Sequence, residues 1–263
     1  MEVIGSQIVV FVILVLLGFY VFRTYRFKPT TYELIICALM ITISMVLQLV
    51  SVTIPLFGFP TLKVGFSQLP LMLLGFLLNP AYAFVVGIIK DVIGLILDPT
   101  GFPFLGFTLN TVLVGVIPGL WYHAFKEKQN EQLQYYAMGA VSMLLLAAAV
   151  LVWNPNWIGI DVLKISQEIK WILSLLLAVI FVLVISFLRK RKDPLFAIYT
   201  IAVLSVLLIV NFISTPIYLN IMYGMPIVLS VTVRIFKEGM LFPITVMTGY
   251  LVLRVLLRVY RKS

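Results

Sequence analysis

The sequence has few charged residues, one cysteine and one histidine, and these scarcities exclude several classes of protein. Charged residues make up 11% of the 263 residues, whereas hydrophobic residues make up 62% and the mean hydropathy is +1.14. A soluble globular domain carries about 25% charged residues, so this composition indicates a membrane protein. The single cysteine, Cys37, excludes an intrachain disulfide, and the single histidine, His123, excludes a histidine metal cluster. We expect no metal and no cofactor.

The sequence also lacks the common motifs of catalytic sites. It contains no GxxxxGK(S/T) phosphate loop, no HExxH and no GxSxG. We therefore expect a protein that is not an enzyme and does not itself hydrolyse a nucleotide. A membrane enzyme that uses carboxylates alone for acid–base chemistry is the remaining alternative, although no nucleophile or metal set accompanies them.

The sequence contains long apolar runs with few charged residues. Segments such as SMLLLAAAVLV and WILSLLLAVIFVLVISFL approach the roughly 20 residues that cross a bilayer as a helix. The predicted fold class is an all-α polytopic membrane protein. Apolar runs and basic loops together define nine predicted spans: 7–22, 32–54, 64–78, 81–97, 105–124, 135–152, 171–188, 195–213 and 228–257.

The basic residues favour one orientation of these spans. Most of the 19 Lys and Arg residues lie beside helix ends that an N-out, C-in topology places in the cytoplasm. This rule explains the net charge of +9, so we expect no nucleic-acid partner. The run RKRK at 189–192 is interpreted as a topology anchor. No Lys or Arg precedes the first apolar segment and RTYRFK follows it, which predicts a retained helix rather than a cleaved signal.

The character of the spans divides the chain into four parts. Residues 1–30 hold an extra N-terminal transmembrane helix and a basic linker, 31–128 and 194–263 form a six-helix core, and 129–193 form an inserted helical hairpin. The third and fourth spans are short, so we expect one to be tilted, broken or partly buried. The outer loops of the core are dense in Gly, Pro and aromatics, which predicts ordered lids over one cavity; they are 51–70, 98–106 and 214–228.

Five charged side chains lie inside the apolar segments. Lys90 and Asp91 occur in GIIKDVIG, and Arg234, Lys237 and Glu238 occur in VRIFKEG. A charge at the centre of a membrane helix costs about 2.5–3.5 kcal/mol on insertion scales, so it normally faces a partner, a cavity or a substrate. Helical spacing puts each set on one face. Their sum leaves one excess positive charge for an anionic ligand.

Two alternatives stay open for these polar residues. Internal salt bridges, such as Asp91 with Arg234 or with Lys237, would fix helix packing without binding a ligand. Arg234 and Glu238 also have the i, i+4 spacing of an ion pair. Asn110, in FTLNTVLVG, either joins the charged residues as a hydrogen-bonding group or links neighbouring helices.

Four stretches of the sequence resemble a known family. In chain order they are ALMITISMVLQL, VGFSQLPLMLLGFLLNPAYAFVVGIIKDVIGLIL, DPTGFPFLGFTLNTVLVGVIPGLW and YLNIMYGMPIVLSVTVRIFKEGMLFPI. Together they resemble the S component, the substrate-binding subunit, of an energy-coupling factor (ECF) vitamin transporter. PFLGFTLN with Gly115 and Gly119, and the spacing of Arg234, Lys237 and Pro243, are most similar to the folate family. The resemblance covers 31–125 and 195–258.

The resemblance implies a six-helix core that binds a vitamin, with folate as first choice, from outside the cell. The implied partners are a transmembrane coupling subunit, two ATP-binding subunits and the lipid bilayer of a bacterial plasma membrane. Docking in the family uses an Ala-x-x-x-Ala patch, and the matching residues here are Ala38 and Thr42. Alternatively, this small pair packs within the protein. The first helix and the inserted hairpin depart from the usual six spans.

The resemblance also implies roles for the polar residues. A folate ring edge gives two hydrogen bonds to a carboxylate, for which Asp91 or Glu238 is expected, and its glutamate tail suits Arg234 and Lys237. Lys90 either contacts the ligand or balances a neighbour. Lid and stacking contacts are expected from three phenylalanines: Phe102, Phe104 and Phe107. Another vitamin or precursor is the nearest rival ligand, and a non-transporting membrane scaffold of the same fold is the alternative function.

Overall fold

The computed structural model describes residues 2–56, 59–97, 103–126 and 193–260, together with the separate positions 135, 139, 142, 171, 175, 179, 182 and 186. Most of these residues are helical. A π-helical segment, Leu207–Ser214, joins two helices without a break. The elements are α1 (Glu2–Thr24), α2 (Thr31–Leu49), β1 (Val52–Leu56), β2 (Phe59–Val64), α3 (Leu69–Leu77), α4 (Pro80–Leu97), α5 (Leu105–Phe125), α6 (Pro194–Val206), α7 (Thr215–Tyr223) and α8 (Ile227–Tyr260).

Six helices of the described part are long and apolar enough to cross a membrane, which confirms the helical membrane class. They are α1, α2, α4, α5, the continuous helix Pro194–Tyr223 and the part of α8 from Leu241 to Tyr260. The nine-span count and the N-out, C-in orientation stay predictions. The inserted hairpin predicted at 129–193 lies outside the described residues, apart from the separate positions named above and its last residue.

A two-stranded hairpin is the one departure from helix among the elements named above. β1 pairs with β2 in antiparallel register, with Val52 opposite Val64, and the register shifts at Pro55. Proline has no backbone N–H to donate, so it is tolerated at such an irregularity. The helix in the predicted span 32–54 therefore ends early, at Leu49, and the helix in the predicted span 64–78 begins late, at Leu69. Both predictions extended an apolar run into residues that pair as strands.

α3 is a short helix buried inside the bundle. Its residues from Leu71 to Leu77 are buried, which confirms that one short span lies among the others. Protein rather than lipid surrounds α3, so it does not need the length of a full span. Gly75 allows α3 to lie directly against α5, because an added Cβ would overlap the Gly115 carbonyl oxygen and lie 2.9 Å from Gly119 N.

The segment 214–228, predicted as an external loop, is largely helical. α6 continues through the π-helical segment into α7, and Pro216 lies in the first turn of α7. The helix ends at Tyr223, and Gly224 follows it with φ of 66°. Glycine is favoured in this left-handed conformation because it has no Cβ. Hydrophobic periodicity alone did not separate this Gly- and Pro-containing helix from a loop.

α1 packs on the outside of the core, against α4, α5 and α7. Its Val21 is fully buried in a cluster with Phe84, and its Val10 packs in a cluster with Tyr218. The opposite face of α1 is apolar and exposed, as suits contact with lipid. Its exposed residues include Ile4, Ile8, Phe11, Val15 and Phe19.

Candidate functional site

One cavity of about 340 Å³ lies between the helices, and both charged sets line it. Lys90 and Asp91 reach it from α4, whereas Arg234, Lys237 and Glu238 reach it from α8. The remaining wall comes from the end of α2, the segment after β2, α3, α5, the π-helical segment, and α6 and α7. Two segments about 140 residues apart in sequence therefore contribute their charges to a single space.

Two of the charges on α8, Lys237 and Glu238, form a connected polar group with Asn211. Lys237 Nζ lies 2.9 Å from Glu238 Oε1, and Asn211 Nδ2 donates a hydrogen bond to the same oxygen at 2.9 Å. Arg234 is 6% exposed, and its Nε lies 3.4 Å from Ser230 Oγ one helical turn away. Glu238 Oε1 therefore already accepts from two protein groups.

Asp91 is held by hydroxyl groups of α5. Thr108 Oγ1 donates to Asp91 Oδ2 at 2.7 Å, and Thr111 Oγ1 lies 3.2 Å from Asp91 Oδ1. Thr111 Oγ1 also lies 3.0 Å from the carbonyl oxygen of Phe107. A hydroxyl has one proton to donate, so Thr111 cannot fully serve both acceptors. Asp91 Oδ1 consequently keeps capacity for a further donor. The packing alternative expected Arg234 or Lys237 beside Asp91. The structure places two threonine hydroxyls at its carboxylate.

Asn110 lies on α5 between these two threonines and also lines the cavity. It is 6% exposed, and its Nδ2 donates to Thr215 Oγ1 at 3.0 Å. Its Oδ1 is buried and has no hydrogen-bond partner in the described part of the chain. Asn110 thus does link two helices, as one interpretation of the sequence expected.

The three predicted phenylalanines have different surroundings. Phe107 lines the cavity, whereas Phe104 is 3% exposed and is not part of the lining. The Phe104 ring packs edge-on against Tyr218, with centroids 5.3 Å apart, in the cluster that contains Val10 of α1. The chain turns into α5 at Phe104, and this turn directs the ring toward α1 rather than into the cavity. Phe102 lies outside the described residues.

Uncharged polar residues complete the cavity, and the sequence interpretation did not single them out. Thr111 lines the cavity, and Thr108 lies outside the lining but holds Asp91. Both flank Asn110 in FTLNT, which is an unusually polar stretch for a buried helix. Asn211 is the polar residue of the apolar run LLIVNF. Such isolated polar residues were the available signal, because each needs a partner in a membrane helix. Further polar residues of the lining are Gln48, Ser51, Ser67, Gln68, Thr215 and Thr245.

The predicted docking pair lies away from the cavity, on α2. Ala38 and Thr42 are both exposed, and Thr42 Oγ1 donates to the Ala38 carbonyl oxygen at 2.9 Å. The hydroxyl is thereby satisfied within its own helix, so the surface is effectively apolar. Exposed apolar side chains surround the pair: Leu34, Ile35, Leu39, Ile43 and Val46.

Comparison with known proteins gives a family match and one relative. The family described as "ECF transporter, substrate-specific component" matches residues 32–257. "Folate transporter FolT" of Clostridium novyi (strain NT) is 28% identical over 113 residues, which are 42% of this chain and 64% of that protein. The match therefore spans a little under two thirds of the relative. No solved structure matches the chain. Because the family match extends across nearly the whole described core, the chain belongs to the substrate-specific components of ECF transporters.

Proposed function

We propose that this chain is the membrane-embedded substrate-binding subunit of an ECF-type importer and that its substrate is folate. The observation that carries the proposal is the cavity of about 340 Å³ in which five charged residues from α4 and α8 meet. Ligand pockets commonly have volumes of about 300–1,000 Å³. The printed name of the relative, a folate transporter, supports this choice among vitamins.

The polar contacts suggest how a folate would lie in the cavity. Its aminopyrimidinone edge needs a carboxylate that can accept two hydrogen bonds. Asp91 suits this role better than Glu238, because its partners are two uncharged hydroxyls, one of them shared with the Phe107 carbonyl, whereas Glu238 Oε1 is paired with the Lys237 ammonium and Asn211. The glutamate tail then faces α8, where Arg234 and Lys237 supply positive charge. Phe107 lines the same cavity and supplies an apolar ring for contact with the pterin.

The partners in the proposal follow from the family. A transmembrane coupling subunit and two ATP-binding subunits would drive transport, and the chain itself would bind substrate without catalysis. The exposed pair Ala38 and Thr42 supports docking on α2, because small residues allow close helix approach. We place the complex in a bacterial plasma membrane, with lipid around the exposed apolar face of α1.

Ligand identification tests this function directly. The full chain, purified in detergent, is denatured and the released small molecules are identified by mass spectrometry. We expect folate, and we expect added folate, but not riboflavin or biotin, to bind in isothermal titration calorimetry. Recovery of a different vitamin would reject the substrate and keep the class.

Transport is tested separately in vesicles that contain the coupling subunits and ATP. Uptake of labelled folate is expected, and it should stop when ATP is omitted. Absence of both ligand and uptake would instead support the scaffold alternative. Binding of a vitamin without uptake would contradict the assignment of the coupling and ATP-binding subunits as partners.

A further inference from the structure

We propose that Asn110 determines ligand specificity by accepting a hydrogen bond from the ring amino group of the ligand, and that Thr215 and the π-helical segment orient its amide for this purpose. The location of the ligand rests on the proposed function. The orientation of the amide rests on contacts within the chain itself.

The π-helical segment provides the first link. At its end, the carbonyl oxygen of Val210 accepts from the backbone N–H of Thr215, five residues later. The same carbonyl oxygen accepts from Thr215 Oγ1 at 2.6 Å. A carbonyl oxygen has two lone pairs, so it can serve both donors. The wider turn of the π-helix thus fixes the position of the Thr215 hydroxyl and the direction of its proton.

The Thr215 hydroxyl then determines which way the Asn110 amide points. Its only proton is donated to Val210, so toward Asn110, at 3.0 Å, the hydroxyl can act only as an acceptor. The amide must therefore present its NH₂ group to Thr215 and its oxygen to the other side. This assignment follows from the hydrogen-bond network, which is the usual way to resolve an asparagine amide.

The amide oxygen is consequently left without a partner in a buried position. Buried side-chain oxygens nearly always accept a hydrogen bond, so an exception requires an explanation. Among the described residues, two buried side-chain atoms have none: Asn110 Oδ1 and Tyr199 Oη. Tyr199 lies outside the cavity lining and packs against Gly249 of α8, whereas Asn110 lines the cavity. A bound ligand explains the first atom, and close helix packing explains the second.

The cavity is thereby divided into two chemically different sides. On the side of α4 and α5, the Asp91 carboxylate and the unpartnered, buried Oδ1 of Asn110 are acceptors beside Lys90, and on the side of α8, Arg234 and Lys237 are N–H donors beside Glu238, whose Oε1 is engaged by Lys237 and Asn211. A ligand that fits this arrangement has N–H donors at one end and an anionic group at the other. A planar ring that carries an amino group, joined to a carboxylate-bearing tail, has this polarity.

An acceptor that is built into a buried site discriminates strongly between ligands. A site that hydrogen-bonds a substrate N–H rejects the analogue without it, because the buried polar group is then left unpaired. Folate and its 2-desamino-2-methyl analogue, which lacks the ring amino group, are therefore the probes. We expect the wild-type protein to bind the analogue about tenfold to a hundredfold more weakly than folate.

Substitutions at Asn110 and Thr215 test the contact and its orientation. In Asn110→Leu, folate binding should weaken by about tenfold or more, and the difference between folate and the analogue should largely disappear. Thr215→Val should weaken folate binding by a smaller factor, and Thr215→Ser, which keeps the hydroxyl, should restore it. Thr200→Val is the matched control, because Thr200 is a buried threonine that donates to Phe196 O and does not line the cavity.

The outcomes separate this inference from the proposed function. If folate binds and Asn110→Leu discriminates against the analogue as strongly as the wild type does, the role of Asn110 is wrong and the proposed function stands. Equal loss of binding in Thr215→Val and Thr200→Val would make the threonine effect merely structural and overturn the orienting role. If the wild-type protein does not bind folate, the substrate assignment fails. The same variants are then compared by the amount of co-purified small molecule that each retains, and equal retention overturns the inference.

Discussion

Lys237 Nζ lies 2.9 Å from Glu238 Oε1, so two adjacent residues of α8 form an ion pair at the wall of the cavity. Side chains at i and i+1 of a helix do not normally face each other, which means that these two bend toward a common point. Asn211 of the π-helical segment donates to the same carboxylate oxygen. Glu238 is therefore engaged by the protein, whereas Asp91 on the opposite side is held by two uncharged hydroxyls.

This difference predicts unequal effects of neutralising the two carboxylates. Asp91→Asn should raise the Kd for folate by about 10- to 100-fold, because a hydrogen bond to a charged group contributes about 1.5–3 kcal/mol. Glu238→Gln should change the Kd by less than about threefold but lower the thermal stability of the unliganded protein, because Lys237 loses its counter-charge. Calorimetric titration and thermal unfolding in detergent measure the two effects. The reverse order of affinities would assign the ring edge to Glu238.

The buried position of Arg234 predicts a second effect, and its size depends on whether the ligand carries the carboxylate tail. Arg234→Gln should weaken folate binding about 100-fold, because a buried guanidinium that pairs with the carboxylate tail loses its charge. Pterin, the ring without the tail, should bind the variant and the wild type equally well in calorimetry. The matched control is Arg254→Gln, since Arg254 lies on the same helix but not in the cavity lining.

Folding decides how the Arg234 result is interpreted. Normal expression with lost binding is expected if Arg234 contacts the ligand. A variant that no longer folds, while Arg254→Gln does, would support the alternative that the charges inside the apolar segments serve only helix packing.

Much of this site could be predicted from the sequence, and the remainder depended on tertiary contacts. Insertion cost alone indicated Asp91 and Arg234, because a charge in an apolar segment needs an explanation. The i, i+4 spacing suggested that Glu238 pairs with Arg234. It did not indicate that Lys237 and Asn211 share the Glu238 carboxylate, because Asn211 lies in the π-helical segment, which is distant in sequence. Phe104 was expected at the ligand because the family resemblance implied lid and stacking contacts from it and from Phe107. It packs instead toward α1, whose contacts the sequence did not specify.

The limits of hydrophobic periodicity explain the errors in the fold predicted from the sequence. An apolar run does not distinguish a membrane helix from a strand at its end, so residues 52–54 of β1 and Val64 of β2 were assigned to the neighbouring spans. Gly and Pro between 214 and 228 suggested a loop, yet Pro216 lies in a first helical turn and Gly224 ends the helix. These residues mark boundaries of helices as readily as they mark loops.

Close contact between α3 and α5 predicts a large effect of one methyl group. Gly75→Ala would force a Cβ into the Gly115 carbonyl oxygen, and backbone atoms have little room to move away. We expect a loss of about 1–3 kcal/mol or more in the free energy of unfolding, as for overpacked cores, and a lower midpoint of thermal unfolding in detergent. The control is Gly5→Ala on α1, where a Cβ meets no atom within 4 Å and alanine favours the helix. Equal midpoints for the two variants would show that α3 can shift.

The exposed face of α2 predicts that binding and transport can be separated. Ala38→Trp should leave the Kd for folate within about twofold, because Ala38 does not line the cavity. It should abolish ATP-dependent uptake in vesicles that contain the coupling subunits, since an indole prevents the close approach that small residues allow. Thr42→Ala should maintain or increase uptake, because it makes the surface smaller and its hydroxyl bonds only within the helix. Val9→Trp is the matched control on α1, where an exposed apolar side chain already faces outward. Loss of uptake in Val9→Trp but not in Ala38→Trp would move the docking surface from α2 to α1.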